Sequence, residues 1–308
     1  MTKGYQALSE GAAVLDLSAR GRIRVTGEDR ARLLHAMTTN HIQELKPGDG
    51  LYAFFLNAQG RILADAHILC YEDSLLLDTE PETRALVYEH LDRYIIADDV
   101  TLEDETDATF CLGLEGAQAL AVAEAAGINV AGQSTVASIS STGAPAVRFY
   151  GPAGGKAEVV SALEAAGAVP ATSVDAEQIR LRHFKPRFGQ DITEHTLPQE
   201  SRQMFALHFK KGCYLGQEIV ERIRSRGHVN KLLMGFRAAS HAEEGQVVVA
   251  PGMKLFAGGK EAGEVTSAVV CPEGHVYGLA YVRVPYNTPG STVGIEGRPA
   301  ELFTPWGA

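Results

Sequence analysis

The stretch FKKGCYLGQE, Phe209–Glu218, sets a cysteine behind two lysines and a glycine and ahead of a run with helical spacing. Read as a helix that begins at Cys213, GQEIVERIRSRG brings unpaired backbone N–H groups to the sulfur, and their partial positive charge favours a thiolate. Lys210 and Lys211 add charge of the same sign, Lys211 as support for the thiolate, and Gly212 opens the backbone to a ligand. A thiolate so placed can attack an electrophile, exchange disulfides or ligate a metal. The plainer alternative is a cysteine buried under the next layer, with lysines that are only solvated.

The remaining cysteines, Cys70, Cys111 and Cys271, stand in the apolar runs HILCY, TFCLGL and AVVC, where a thiol behaves as a small hydrophobe. No two cysteines form a CxxC pair, so spacing supports neither a zinc site nor a resident iron–sulfur cluster. A single thiolate holds a cluster only if a partner or small thiols supply the other ligands. His35, His41, His67 and His90 lack HxxxH or HExxH spacing and read as core or surface histidines. GPAGGKA, Gly151–Ala157, is one residue short of a P-loop and lacks its Ser or Thr, and no GxGxxG follows a strand. Nucleotide hydrolysis and Rossmann redox chemistry are thereby excluded.

Net charge over the 308 residues is −10, yet residues 178–231 carry 11 Lys or Arg against 5 Asp or Glu, +6, which leaves −16 elsewhere. Such polarity suggests a basic, anion-binding face on an acidic body, with Arg180, Arg182 and Arg187 as candidates chosen by charge. Glu218 and Arg222, at i,i+4, fit equally well on a solvated helix face. No apolar run approaches the roughly 18 residues of a membrane span, and the amino terminus lacks a signal-peptide core. A cytoplasmic protein with reduced thiols is expected.

Three segments must position these groups by one rhythm. GRIRVTGEDRARLLHAMTT, TFCLGLEGAQALAVAEAAG and PAVRFYGPAGGKAEVVSALEAAG each switch from period two to period 3.6 at a glycine, namely Gly27, Gly116 and Gly151. GLYAFFLNAQGRILADAHILCY reads as a hairpin turning at Gln59-Gly60, and DSLLLDT as a further strand. From Lys231 the pattern changes to short strands parted by Gly and Pro, such as KLLMGFRA, QVVVAPGMKLF and HVYGLAYVRV, the pattern of a small antiparallel barrel. Trp306 is expected to pack that barrel. The fold class is α+β, with residues 1–230 forming two intertwined modules (division near 100–110) and residues 231–308 the barrel.

The segment Thr196–Phe236 resembles the YgfZ-type folate-binding proteins, relatives of the glycine-cleavage T protein, whose hallmark is a Lys-Gly-Cys-Tyr-x-Gly-Gln-Glu box. Lys211, Gly212, Cys213, Tyr214, Gly216, Gln217 and Glu218 match it, followed by Arg226-Gly227 and Asn230-Lys231. RIRVTGEDRARLLHAMTTNHIQELKPG and LNAQGRILAD extend the likeness over most of the chain. The resemblance implies an aminomethyltransferase-like three-domain ring, two mixed modules with antiparallel sheets plus a carboxy-terminal barrel, around a channel for tetrahydrofolate or a one-carbon derivative. It implies a role in iron–sulfur cluster assembly or repair with client proteins, among them tRNA-modifying enzymes, with Cys213 as the working thiol. Tyr214, Gln217 and Glu218 of the box, with Asp65, Arg182 and Arg187, are the candidate folate contacts.

Two departures from the T protein matter. GRILAD keeps Gly60 and only the second acid, Asp65, of a Gly-Gly-x-x-Asp-Asp pattern, and Arg182 stands where the T protein has a pterin-contacting glutamate. Aminomethyl transfer by a T-protein-type enzyme is therefore the first alternative. A non-catalytic module that contacts tRNA or a protein through the basic segment 178–231 is the second.

Overall fold

The computed structural model describes residues 1–128, 135–239 and 248–308, so Gln246 and Val247 of the QVVVAPGMKLF run lie outside the described residues. In chain order the elements begin with α1 (Lys3–Glu10), β1 (Ala13–Asp16), β2 (Gly21–Thr26), α2 (Arg30–Met37), β3 (Gly50–Leu56), β4 (Ile62–Cys70), β5 (Leu75–Thr79), α3 (Arg84–Asp92) and β6 (Thr101–Asp104). Then come β7 (Thr109–Glu115), α4 (Ala119–Ala125), β8 (Thr135–Ala137), β9 (Ala146–Pro152), α5 (Lys156–Ala165), β10 (Val169–Pro170), α6 (Ser173–Arg182) and α7 (Gln217–Arg226). The last strands are β11 (Lys231–Ala239), β12 (Lys254–Ala257), β13 (Lys260–Cys271), β14 (His275–Arg283), β15 (Thr292–Ile295) and β16 (Arg298–Phe303).

These strands make two five-stranded sheets, ordered β3-β4-β5-β2-β6 and β10-β1-β7-β9-β8, and a closed barrel β11-β14-β13-β12-β15-β16. Among the described residues every strand pairing is antiparallel except β1 with β10. The strand–glycine–helix rhythm is present at Gly27 and Gly116; in the third unit β9 runs through Gly151, and the chain turns at Ala153–Gly155 instead. The hairpin at Gln59-Gly60 forms, with Gly60 at φ +70°. Among the described residues no helix is long and apolar enough to cross a membrane.

Strand parity explains how the sheets stack. In β5, Leu75 and Leu77 face α2 and α3 within one core, while Leu76 joins Cys111 and Tyr150 in a second cluster. In β9, Val147 and Phe149 face α4 and α5. The intervening Arg148 and Tyr150 reach Asp78 of β5, so both sheets have helices on the outer face and each other on the inner one. Cys111 and Cys271 are buried and Cys70 is partly so. Burial pushes the Cys111 and Cys271 thiols up to about 12, as expected of thiols that serve as packing.

Asp78 ties the sheets together. It is fully buried, receives Arg148 Nη1 at 2.7 Å, the Tyr150 hydroxyl at 2.5 Å and Arg20 Nε at 2.5 Å, and its carboxyl is held well below the usual range by those two guanidinium groups. Arg148→Leu removes one cationic partner of Asp78 and leaves that buried carboxylate under-compensated. We expect it to cost about 3–5 kcal/mol, read as a lower urea midpoint with an unchanged slope.

Candidate functional site

Between the two sheets, roofed by α6 and the segment after it, lies a cavity of about 470 Å³. Its walls follow from periodicity. Asp65 and His67 alternate with Ala64, Ala66 and Ile68 along β4, so the apolar set joins the core under the helices and the polar set faces the cavity, which Ala66 between them also borders. Ser173, Ala176, Glu177 and Arg180 present one face of α6, spaced i, i+3, i+4, i+7. That helix is started by a capping box between Thr172 and Asp175. Beyond it Phe184 takes a left-handed φ of 54°, and Lys185, Pro186 and Arg187 continue along the wall.

Asp65 is only 8% exposed and accepts a 2.6 Å hydrogen bond from the Tyr52 hydroxyl. Burial, reinforced by the Glu80 charge, pushes its carboxyl up to about 6. It therefore sits mid-strand as a buried acid poised near neutrality, rather than as a turn or cap. Burial holds His67 well below its ordinary value, hence neutral. Arg187 also lines the cavity, but its guanidinium is engaged by Glu80 at 2.9 Å and by Glu82.

Arg182 requires correction. It leaves the cavity face of α6 and reaches Tyr5, Ser9 and Glu273, because the two residues that carry the helix past Arg180 turn it about 200° from the wall. The basic face is reduced as well: Arg180 is committed to Asp191 and Glu177, and Arg224 to Glu221. Trp306 does not pack inside the barrel; its indole N–H donates to the Gly143 carbonyl and its ring carries the Lys185 ammonium at 3.7 Å.

The cysteine box lies elsewhere. Cys213 is exposed, and α7 starts at Gln217, so the thiol is not at the helix amino terminus. Gly212 and Gly216 both take left-handed φ, +94° and +82°, and turn the chain before the helix can begin. A Cβ on Gly216 would meet the Asn57 carbonyl at 2.5 Å, so the box docks glycine against the β3–β4 turn. Tyr214 packs with Leu56 and Val220, Gln217 accepts the Tyr214 amide through its side-chain oxygen at 3.2 Å, and Glu218 is exposed. Cys213, Tyr214, Gln217 and Glu218 do not line the cavity.

Lys211 points away from solvent. Its ammonium donates to the carbonyls of His35 and Thr38 at the carboxy-terminal end of α2, and His35 Nε2 is 2.6 Å from the Lys211 carbonyl. Burial pulls the Lys211 amine down to about 7. Its role in this geometry is to clamp the box to α2. His35, His41 and His208 stack edge to face here, with ring centroids 4.7 and 5.1 Å apart. Among the described residues no group of three or more His, Cys, Asp or Glu could hold a metal.

Sequence reasoning missed Arg20, Tyr52, Asp78, Glu80, Arg148 and Lys185. A usable signal existed for two of them, a charge inside an apolar strand run, in LLLDT and AVRFY.

Residues 1–211 match the GCVT N-terminal domain family. The chain belongs to that family. Among curated relatives, a chloroplastic putative transferase of Arabidopsis thaliana is 28% identical over 94% of this chain and 70% of its own length. An aminomethyltransferase of Rubrobacter xylanophilus is 28% identical over 96% of this chain and 82% of its own. The crystal structure of the glycine cleavage system aminomethyltransferase T from Bartonella henselae superposes with TM-score 0.85 at 20% identity, covering 99% of this chain and 88% of that one. The GCVT-family chain thus has the aminomethyltransferase-like fold, with its barrel and both mixed modules.

Two outcomes follow for this GCVT-family site. Asp65 holds its proton more tightly folded than unfolded, so the stability it contributes is present below about pH 4 and is lost as pH rises to about 6. Asp65→Asn should therefore stabilise the fold by about 2–3 kcal/mol at pH 7.5 and hardly at pH 4, measured by thermal denaturation. Lys211→Met leaves the two α2 carbonyls without their donor; a loss of about 2 kcal/mol is expected, with faster amide exchange through residues 211–216.

Proposed function

We propose that the chain binds tetrahydrofolate in the cavity between its sheets and moves a one-carbon unit there, in the manner of an aminomethyltransferase. The single observation that carries this reading is Asp65: a buried acid, pushed up to about 6, facing a cavity of about 470 Å³. That volume lies within the roughly 300–1,000 Å³ typical of small-molecule sites. Tetrahydrofolate, when bound, supplies a nucleophilic ring nitrogen that carries the one-carbon unit. Asp65 takes up a proton from the ligand at neutral pH, and the Tyr52 hydroxyl fixes which carboxylate oxygen is free to do so. Relatives that bear the name aminomethyltransferase support the one-carbon reading. The lost partner acid, Ala64 in this chain, and Arg182 outside the cavity mean that Asp65 acts without the second carboxylate of the T-protein pattern.

A second reading, iron–sulfur cluster maintenance of the YgfZ type in the cytoplasm, rests on a different observation. Cys213 is an exposed thiol on a glycine-framed loop, clamped from behind by Lys211. In that reading cluster clients, tRNA-modifying enzymes among them, meet the box from outside, while folate occupies the cavity.

Calorimetry with tetrahydrofolate, beside a turnover assay with an aminomethylated carrier protein, tests both. The first reading expects binding by wild type and Cys213→Ala alike. It also expects turnover reduced about 100-fold or more in Asp65→Asn and unaffected in Cys213→Ala. Folate binding without turnover, together with loss of client-enzyme maturation in Cys213→Ala, would transfer the assignment to the second.

A further inference from the structure

The cavity's charges are unequally committed. Four guanidinium groups line it, and each is already engaged by carboxylates: Arg20 by Asp78 and Glu80, Arg148 by Asp78, Arg180 by Asp191 and Glu177, Arg187 by Glu80 and Glu82. Lys185 is different. Its ammonium makes no hydrogen bond or ion pair among the described residues and rests only over the Trp306 ring, 3.7 Å from the centroid. Of the lining carboxylates, Asp16, Glu80 and Glu177 have cationic partners, whereas among the described residues Asp65 has the Tyr52 hydroxyl alone. Among the charged groups of the described lining, one donor and one acceptor are thus left for a ligand, and each acts electrostatically on the other.

We propose that Lys185 and Asp65 together read one edge of a planar heterocycle, Asp65 accepting from a ring N–H and Lys185 donating to the carbonyl oxygen beside it. This rests on the folate reading and narrows it. In a reduced pterin the N5–H and the 4-oxo oxygen stand side by side, and that edge meets the pair with every charge answered. A 4-amino ring presents a donor to the ammonium and leaves both groups without an acceptor, which a site built for a hydrogen bond rejects strongly. Trp306 holds the amine in place by cation–π attraction without occupying its three N–H donors. Lys185 is therefore a specificity residue of the cavity, on a segment whose course is set by Asp191, which binds both the Arg187 amide and Arg180.

The titration supports the geometry. Burial lowers the Lys185 amine to about 8, opposed by the attraction of Glu115 and Asp65 and assisted by Arg148 and Arg20. The ammonium needed for donation is present at neutral pH and is lost above about pH 8, so affinity for the 4-oxo ligand should fall there.

The test uses the full chain and two probes, tetrahydrofolate and its 4-amino-4-deoxy analogue, titrated by calorimetry from pH 6.5 to 9. Wild type should bind the 4-oxo compound at least about 100-fold more tightly than the 4-amino one. Lys185→Met should weaken the 4-oxo ligand by about 10–100-fold, abolish most of that preference and remove the decline above pH 8. Lys185→Glu should invert the preference, and Lys185→Gln, a neutral donor, should keep part of it; these variants stand in should the methionine substitution fail to fold. Equal binding of both probes by wild type, or an unchanged preference in Lys185→Met, overturns this inference and leaves folate binding intact. Binding of neither probe overturns the folate reading and this inference with it.

Discussion

A carboxylate buried without compensation would neutralise or unfold its surroundings, and Asp78 is buried between two sheets. Its two guanidinium partners and one hydroxyl hold the sheets at the separation the cavity needs. The network continues outward: Arg20 also binds Glu80, and Glu80 binds Arg187 on the segment that roofs the cavity. Each link satisfies a charge that the previous one would have left exposed to a low-dielectric interior. The arrangement is rigid for that reason, and it absorbs nearly every charge in its neighbourhood. Asp65 and Lys185 line the same cavity and stand outside that network of ion pairs.

Local periodicity made much of the scaffold legible. Period-two runs interrupted by glycine gave β2 with α2 and β7 with α4, and the change of texture at Lys231 marked where β11 begins. Those features depend on residues a few positions apart. The cavity does not. It draws on residues 15–20, 52, 65–67, 80–81, 140–148 and 171–187, and no local window contains more than a fraction of it. Parity within a strand was the one available bridge: Asp65 and His67 in ILADAHILC, Asp78 in LLLDT and Arg148 in AVRFY all occupy the inner register. Lys185 had no such signal, since the left-handed Phe184 breaks the pattern that would have placed it.

The cysteine box shows how a sound local rule fails. Helix amino termini do stabilise thiolates, but the rule requires the helix to start at the sulfur. Gly212 and Gly216 turn the chain first, and the close approach of Gly216 to the β3–β4 turn forbids straightening it. Lys211 stands two residues before the thiol in sequence, but residues two apart in a turn diverge, and its stem carries the ammonium to the end of α2, where helix carbonyls want a cation.

The separation of thiol and carboxylate bears on chemistry. Cys213 is exposed and Asp65 is enclosed, so in this conformation they do not serve the same reacting atom. The loop behind the box is nonetheless stitched to the strand that supplies Tyr52. Asn40 bridges the carbonyls of Tyr52 and Phe205, the Thr39 hydroxyl donates to the Ala206 carbonyl, and the Thr39 carbonyl accepts the His208 amide. Tyr52 in turn orients Asp65. A partner that pulled the box from α2 would have to disturb the segment on which Tyr52 depends, and a ligand that fixed Asp65 and Tyr52 would stiffen the same segment. Two sites sharing one hydrogen-bonded strap in this way influence each other to the extent that each ligand changes the strap's freedom.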